Sequence, residues 1–162
     1  MFNAKTYVEA RMVAEKVHAN QTYDKIFPYM KHVDDVVAVL NRFGYSGKFR
    51  IAGFLHDSME DGDLSYKDIK TRFGEDIAEI VFCVTDELGR TRKEKKEKTL
   101  PKTASNPDSI IVKLADRIAN MEHGGKAGMY QKEHSEFRKA LYRPDHSEAM
   151  WTYLEGLIFR DN

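Results

Sequence analysis

The chain has 162 residues, a length suited to one domain, and its 41% hydrophobic content supplies enough apolar surface for a real core. Twenty-six basic and 26 acidic side chains leave a net charge of zero, which argues against a nucleic-acid or membrane partner, so any phosphate recognition must be local. The single cysteine excludes an internal disulfide, and no run approaches the roughly 18 apolar residues of a membrane span; a soluble, unexported, cytoplasmic protein is expected.

A helical apolar period runs through nearly the whole chain, and alternation of the β kind is absent over any useful length, so the expected fold class is all-α, one helical bundle over residues 1–162. A first helix is predicted from about Lys5 to about Ala19, carrying Val8, Met12, Ala14 and Val17, before the turn-like Asn20-Gln21-Thr22-Tyr23-Asp24. Pro28 suits the first turn of a second helix, where Val33, Val36, Val37 and Leu40 recur at i, i+3, i+4 and i+7, and Gly44 ends it. A third helix holds Ile51, Ala52, Phe54 and Leu55, continues through His56-Asp57-Ser58-Met59-Glu60-Asp61, and stops near Gly62-Asp63. On such a helix His56 lies over Glu60 and Asp57 over Asp61. One imidazole and three carboxylates beside an apolar segment are costly to hold uncompensated, and a metal ion is the natural compensation.

Ser65 with Asp68 resembles a capping box opening a fourth helix that Phe73-Gly74 closes, and Ile77, Ile80, Val81 and Val84 mark a fifth, with Cys83 as a small buried hydrophobe. Arg90 to Lys98 is a basic tract, either a solvated helix face or a set of phosphate contacts. After Asn106-Pro107 a helix spans Ile110 to Met121, and two more are expected around Tyr130 to Tyr142 and His146 to Phe159. In the Ile110 helix, Lys113, Asp116, Arg117 and Asn120 form a polar stripe opposite Ile111, Leu114, Ile118 and Met121. Alone the stripe reads most simply as a solvated face, with Arg117 as an ion-pair partner or a phosphate contact. Combined with His32, beside the apolar stripe of its own helix, it lets His32, His56, Asp57 and Asp116 converge from three helices on one divalent metal with a position left for water. His18 is expected to be a surface or structural histidine, and His123, His134 and His146 to be exposed.

His32, then His56-Asp57, then Asp116 resembles the H…HD…D signature of HD-domain metal phosphohydrolases. The finer pattern is similar to the alarmone hydrolase branch of RelA/SpoT-type enzymes. It comprises Pro28 to His32, His56 to Asp61, Phe73-Gly74-Glu75 through Val84-Thr85-Asp86, and Lys113 to Met121, and covers roughly residues 10 to 122. The resemblance implies an HD-domain helical bundle and a small stand-alone hydrolase that removes the 3′-pyrophosphate from ppGpp or pppGpp, commonly with manganese. With no histidine between Asp57 and Asp116, it implies a single metal. By the same resemblance Glu60 aligns or deprotonates the water, with Asp61 supporting it. Asn120, one turn after Asp116, is placed to hydrogen-bond the substrate, Lys113 to reach a phosphate, and Tyr23 and Lys25, in the loop after Gln21, to meet the nucleotide.

Two departures bear on the substrate. Where the family carries an Arg-Lys pair a few residues after a Gln, Gln21 is followed here by Thr22-Tyr23-Asp24 and only Lys25 is basic; Tyr23 is then a stacking surface for a base or a packing residue. The usual proline after the first histidine is Val33. The alternatives are a phosphatase acting on the 2′-phosphate of NADPH or on a deoxynucleotide, and a non-catalytic nucleotide-binding module, against which Glu60-Asp61 argues. Oligomeric state is left open by the sequence.

Overall fold

A computed structural model describes residues 2–60 and 63–160. Along the chain come α1 (Ala4–Val17), the two-residue strands β1 (Thr22–Tyr23) and β2 (Phe27–Pro28), α2 (Met30–Arg42), α3 (Lys48–Leu55), α4 (Tyr66–Phe73), α5 (Glu75–Val84), α6 (Arg92–Ala104), α7 (Pro107–His123), α8 (Ala127–Leu141) and α9 (Glu148–Ile158). The all-α class holds, and the antiparallel pairing of Thr22 with Pro28 and Tyr23 with Phe27 is the one ladder among the described residues.

Several helix starts follow local chemistry visible in the chain. Asn3 caps α1 by accepting from Thr6 N, the Ser65–Asp68 capping box opens α4, and Asn106 with Pro107 at the first turn opens α7. Gly124, at φ 96°, closes α7 in the left-handed region that glycine adopts without strain. Two boundaries differ from expectation. Pro28 sits in β2 and not in a first helical turn; lacking an N–H it suits an edge strand, and α2 begins after it. The helix expected to carry His56 through Asp61 ends at Leu55. The Ser58 hydroxyl donates to Leu55 O and the His56 ring bonds Gly53 O, so side chains take carbonyls that a continuing helix would have used. His56 therefore does not stack over Glu60 on a helix face, and Asp61 lies outside the described residues.

The core divides into two clusters joined at α7. One gathers α1, α3, α4 and α5 around Ile51, Leu55, Ile77 and Val81; the other gathers α7, α8 and α9 around Leu114, Ile118, Phe137 and Trp151. Helix α7 packs against α2, α3, α5, α6, α8 and α9, which explains why its polar stripe is not a solvated face: Lys113 and Arg117 are 9% and 2% exposed. On α1 the inward residues are Ala10, Val13 and Ala14, whereas Val8 and Met12 face outward. His18, expected at the surface or in a structural role, is buried. Against their expected exposure His134 is buried and His123 and His146 are half-buried; His134 packs on Trp151 and Phe159, and His123 on Tyr23 and Phe27. Cys83 is buried as expected. No helix among the described residues is long and apolar enough to cross a membrane.

Candidate metal centre

Three helices deliver the centre. The apolar face of α2, through Val33, Val36, Val37 and Leu40, buries that helix and holds His32 in its first turn at 3% exposure. His56 is the cap residue of α3, and Asp57 follows it. Asp116 projects from the middle of α7. His32 Nε2 stands 3.0 Å from Asp116 Oδ1 and 3.8 Å from Asp57 Oδ2. His56 Nε2 stands 3.0 Å from Asp57 Oδ2 and 3.6 Å from Asp116 Oδ1. Potential ligand atoms of His32, His56 and Asp57 all lie within 4.8 Å of one another, a grouping able to hold a metal ion.

The donor set fits a divalent cation. A carbonyl oxygen can only accept, so the 2.7 Å contact with Gly53 O places the His56 proton on Nδ1 and leaves Nε2 as a lone-pair donor. That Nε2 is buried and has no hydrogen bond of acceptable geometry, although a carboxylate oxygen lies close to it. Two imidazole nitrogens and two carboxylate oxygens thus crowd one small volume, the donor types that hold a divalent ion. The charges of the centre lean on one another. Burial works against ionised carboxylates, yet the neighbouring His56 holds Asp57 well below the ordinary carboxylate range, and Lys113 with the two imidazoles does the same for Asp116. Burial likewise opposes a charged His56, and Asp57 and Asp116 outweigh it to hold the imidazole above its ordinary value.

Around this centre lies a ring of partners. Tyr29 OH donates to Asp57 Oδ2 at 2.5 Å, and its pKa is pushed up by burial and by Asp57. Asn120 Nδ2 donates to Asp116 Oδ1 at 3.1 Å, and Lys113 Nζ stands 3.3 Å from Asp116 Oδ2. Tyr23 stacks on the His32 ring, with centroids 4.8 Å apart and planes at 20°, and donates to Asn120 Oδ1 at 2.6 Å. The hairpin carrying Tyr23 turns through Asp24 and Lys25 at φ 52° and 63°, and His123 Nε2 meets Asp24 Oδ2 at 3.0 Å. Lys25 itself is exposed at that turn, away from the ring of partners.

Glu60 sits on the rim of the centre, where the backbone N–H of Asp86 donates to its Oε1 at 3.1 Å. Burial of the carboxyl and the charge of Asp57 raise its pKa, making it a stronger base than an ordinary glutamate. Asp86 in turn binds Lys96 Nζ at 2.8 Å. The structure therefore groups His32, His56, Asp57 and Asp116 with Asn120, Lys113 and Tyr23, leaves Lys25 exposed at the hairpin turn, and adds Tyr29 and Asp86, to which the sequence assigned no role, and Lys96, read from the sequence only as part of the Arg90 to Lys98 tract. Tyr29 and Asp86 fall inside the quoted motif segments, and that position was the available signal; their bonds to Asp57 and Glu60 come only from the fold.

Comparison with known proteins places these residues in context. The family described as HD domain matches residues 10–144. The guanosine-3′,5′-bis(diphosphate) 3′-pyrophosphohydrolase of Aquifex aeolicus is 33% identical over 125 residues, covering 74% of this chain and 18% of that protein. The enzyme of the same name from Borreliella burgdorferi is 35% identical over 127 residues, covering 74% of this chain and 19% of that protein. The chain thus spans about a fifth of the length of these curated relatives. Among solved structures, that of a metazoan ortholog of SpoT, described as hydrolysing ppGpp, aligns over 97% of this chain and 96% of its own with a TM-score of 0.81 at 21% identity, a likeness of fold.

Proposed function

The chain belongs to the HD-domain family, and from that premise we propose that it is a metal-dependent hydrolase that removes the 3′-pyrophosphate from ppGpp or pppGpp, giving GDP or GTP and pyrophosphate. Residues 1–162 act in this reading as one hydrolase domain. The observation that carries it is the convergence of His32, His56 and Asp57, with Asp116 beside them, their imidazole nitrogens standing 3.0–3.8 Å from the two carboxylates. The names of the Aquifex and Borreliella relatives supply the substrate class.

His32, His56, Asp57 and Asp116 would hold one divalent ion, manganese in this proposal, which would supply Lewis-acid polarisation of the phosphoryl group and a more acidic water. The chain's own residues do the rest. Gly53 O fixes the tautomer of His56, and Tyr29, Asn120 and Lys113 fix the two carboxylates, so the ligands are set before substrate arrives. Glu60, oriented by the Asp86 N–H and raised in basicity, takes the proton of the attacking water, with Asp61 in support. Lys113 offers its ammonium to the phosphate under attack. Asn120 and Tyr23 already bond each other, so a substrate hydroxyl or base reaches them by replacing that 2.6 Å contact. Lys25 joins the substrate from the hairpin turn.

The test is incubation of the purified protein with manganese and a panel of ppGpp, pppGpp, NADPH and deoxynucleotides, followed by chromatography. GDP and pyrophosphate from ppGpp are expected. Survival of ppGpp with consumption of NADPH or a deoxynucleotide would leave the metal chemistry and overturn the substrate, and turnover of nothing with nucleotide still bound would leave a binding module.

A further inference from the structure

Helix α1 presents two apolar faces. Ala10, Val13 and Ala14 turn into the core, while Val8 and Met12, one turn apart, stand 58% and 62% exposed. Lys5, Val8, Glu9, Met12 and Lys16 recur at i, i+3, i+4, i+7 and i+11, a second stripe down the outer side of the helix. Beside it, between α1 and the segment that runs from Leu64 to Arg72 of α4, lies a groove of about 740 Å³. Val13, Val17 and Leu64 give the groove an apolar floor, and none of the four proposed metal ligands lines it. An exposed apolar pair beside an apolar floor is surface that folding of the chain leaves uncovered, and such patches mark contacts with another molecule.

The charges around this face are of both signs, Lys5, Lys16 and Arg72 against Glu9 and Asp63. A nucleic acid or an anionic membrane would meet the carboxylates as well as the cations, so neither suits it. Arg72 Nη2 donates to Glu9 Oε1 at 3.1 Å and holds that carboxylate at the groove. Lys16 is exposed and makes no ion pair among the described residues. A patch that packs on its own copy across a two-fold axis must be complementary to itself, and this one is. Two copies of α1 packed antiparallel, with the axis beside Met12 and Val13, bring level the residues equidistant from that axis: Met12 of one copy with Val13 of the other, Val8 with Val17, and Glu9 with Lys16. Glu9 and Lys16, seven residues apart, point within about 20° of each other along the helix, so the pair forms on one side of the stripe and is repeated by the axis. A parallel pairing would set Lys16 on Lys16 and Glu9 on Glu9 instead.

We propose that the outer face of α1, with the groove beside it, is the surface through which the chain pairs with a second copy of itself as an antiparallel two-fold dimer. Val8 and Met12 of each copy cover the apolar floor of the other. Glu9 meets Lys16 on both sides of the axis and fixes the register, since like charges brought together there would be repelled.

Sedimentation velocity of the full chain over a range of micromolar concentrations reads the association. The native protein is expected to shift reversibly from the mass of one chain to that of two. Met12→Glu puts a carboxylate from each copy at the axis and should raise the dimer dissociation constant by about tenfold or more, with circular dichroism unchanged. Lys16→Glu alone and Glu9→Lys alone each set like charges together twice and should weaken pairing in the same way. An equimolar mixture of these two variants restores both opposite pairs and should give mixed dimers, which separates the interface from any effect of either substitution on folding. The proposal is overturned if the native protein stays a single chain throughout, which would leave the face to a partner of another kind, if Met12→Glu or either charge variant pairs as the native protein does, or if the mixture remains monomeric. None of these readings depends on whether ppGpp is hydrolysed.

Discussion

The His56 ring is committed at both nitrogens, one to the Gly53 carbonyl and one to the centre, and the carboxylates are held as tightly: Asp57 by Tyr29, Asp116 by Asn120 and Lys113. Substitutions should therefore separate ligands from supports. Asp116→Ala should abolish manganese retention, read by elemental analysis after desalting, while circular dichroism stays helical. Tyr29→Phe keeps the ring in its place and deletes only the bond to Asp57, so metal affinity should fall about 10–100-fold, the usual cost of losing an outer-shell partner. Unchanged affinity would make Tyr29 a packing residue. Glu60→Gln preserves shape and removes the base; metal content should be retained and turnover should fall by about 10²-fold or more. Near-normal turnover would move the proton transfer to another group.

Among the elements, the α2–α3 contact is the one on which the centre depends most. At Gly53 an added Cβ would sit 2.7 Å from Leu40 Cδ1 and 3.2 Å from Val37 Cγ2, so the two helices approach where only glycine fits. Gly53→Ala should cost roughly 1–3 kcal/mol in urea unfolding, the range for overpacked cores, and should weaken metal binding because the same residue's carbonyl orients His56. The helices themselves were largely legible. The Ser65–Asp68 box, Asn106-Pro107 and the 3.6-residue period of Val33 to Leu40 are local signals, and the structure realises each. What escaped was decided at a distance. Gly53 O and Leu55 O accept side-chain bonds where α3 ends at Leu55, about seven residues before the expected stop, and no periodicity records that. The Lys113–Arg117 stripe alone reads most simply as solvated, because a polar helix face has the same pattern whether water or neighbouring helices cover it. Convergence of His32, His56, Asp57 and Asp116 was legible from residue type and order, whereas the Tyr29, Asp86 and Lys96 contacts needed the hairpin and the α5–α6 loop in place.

At the scale of the whole molecule, the partly buried Lys96 of α6 ties stability to pH. Burial, then the charge of Lys113, pulls Lys96 down from 10.5 to about 8. The unfolded chain thus holds this proton across a range where the folded one has released it, so Lys96's contribution to stability rises with pH between about 8 and 10.5 and its penalty is fully present below. Chemical unfolding at stepped pH should show that rise in the native protein and a flatter profile in Lys96→Met; equal slopes would place Lys96 in solvent. The two clusters meet at α7, and so do chain segments remote in sequence, since Asp116 faces His32 across them. A cation bridging these residues acts as a removable staple closing the loop from residue 32 to residue 116. Because the ligands assemble only in the finished packing, the staple grips the native state and not the barrier leading to it. Manganese should therefore slow unfolding by nearly the whole of the stability it confers and leave refolding speed unchanged, so that the metal sets the lifetime of the folded chain more than the ease of reaching it.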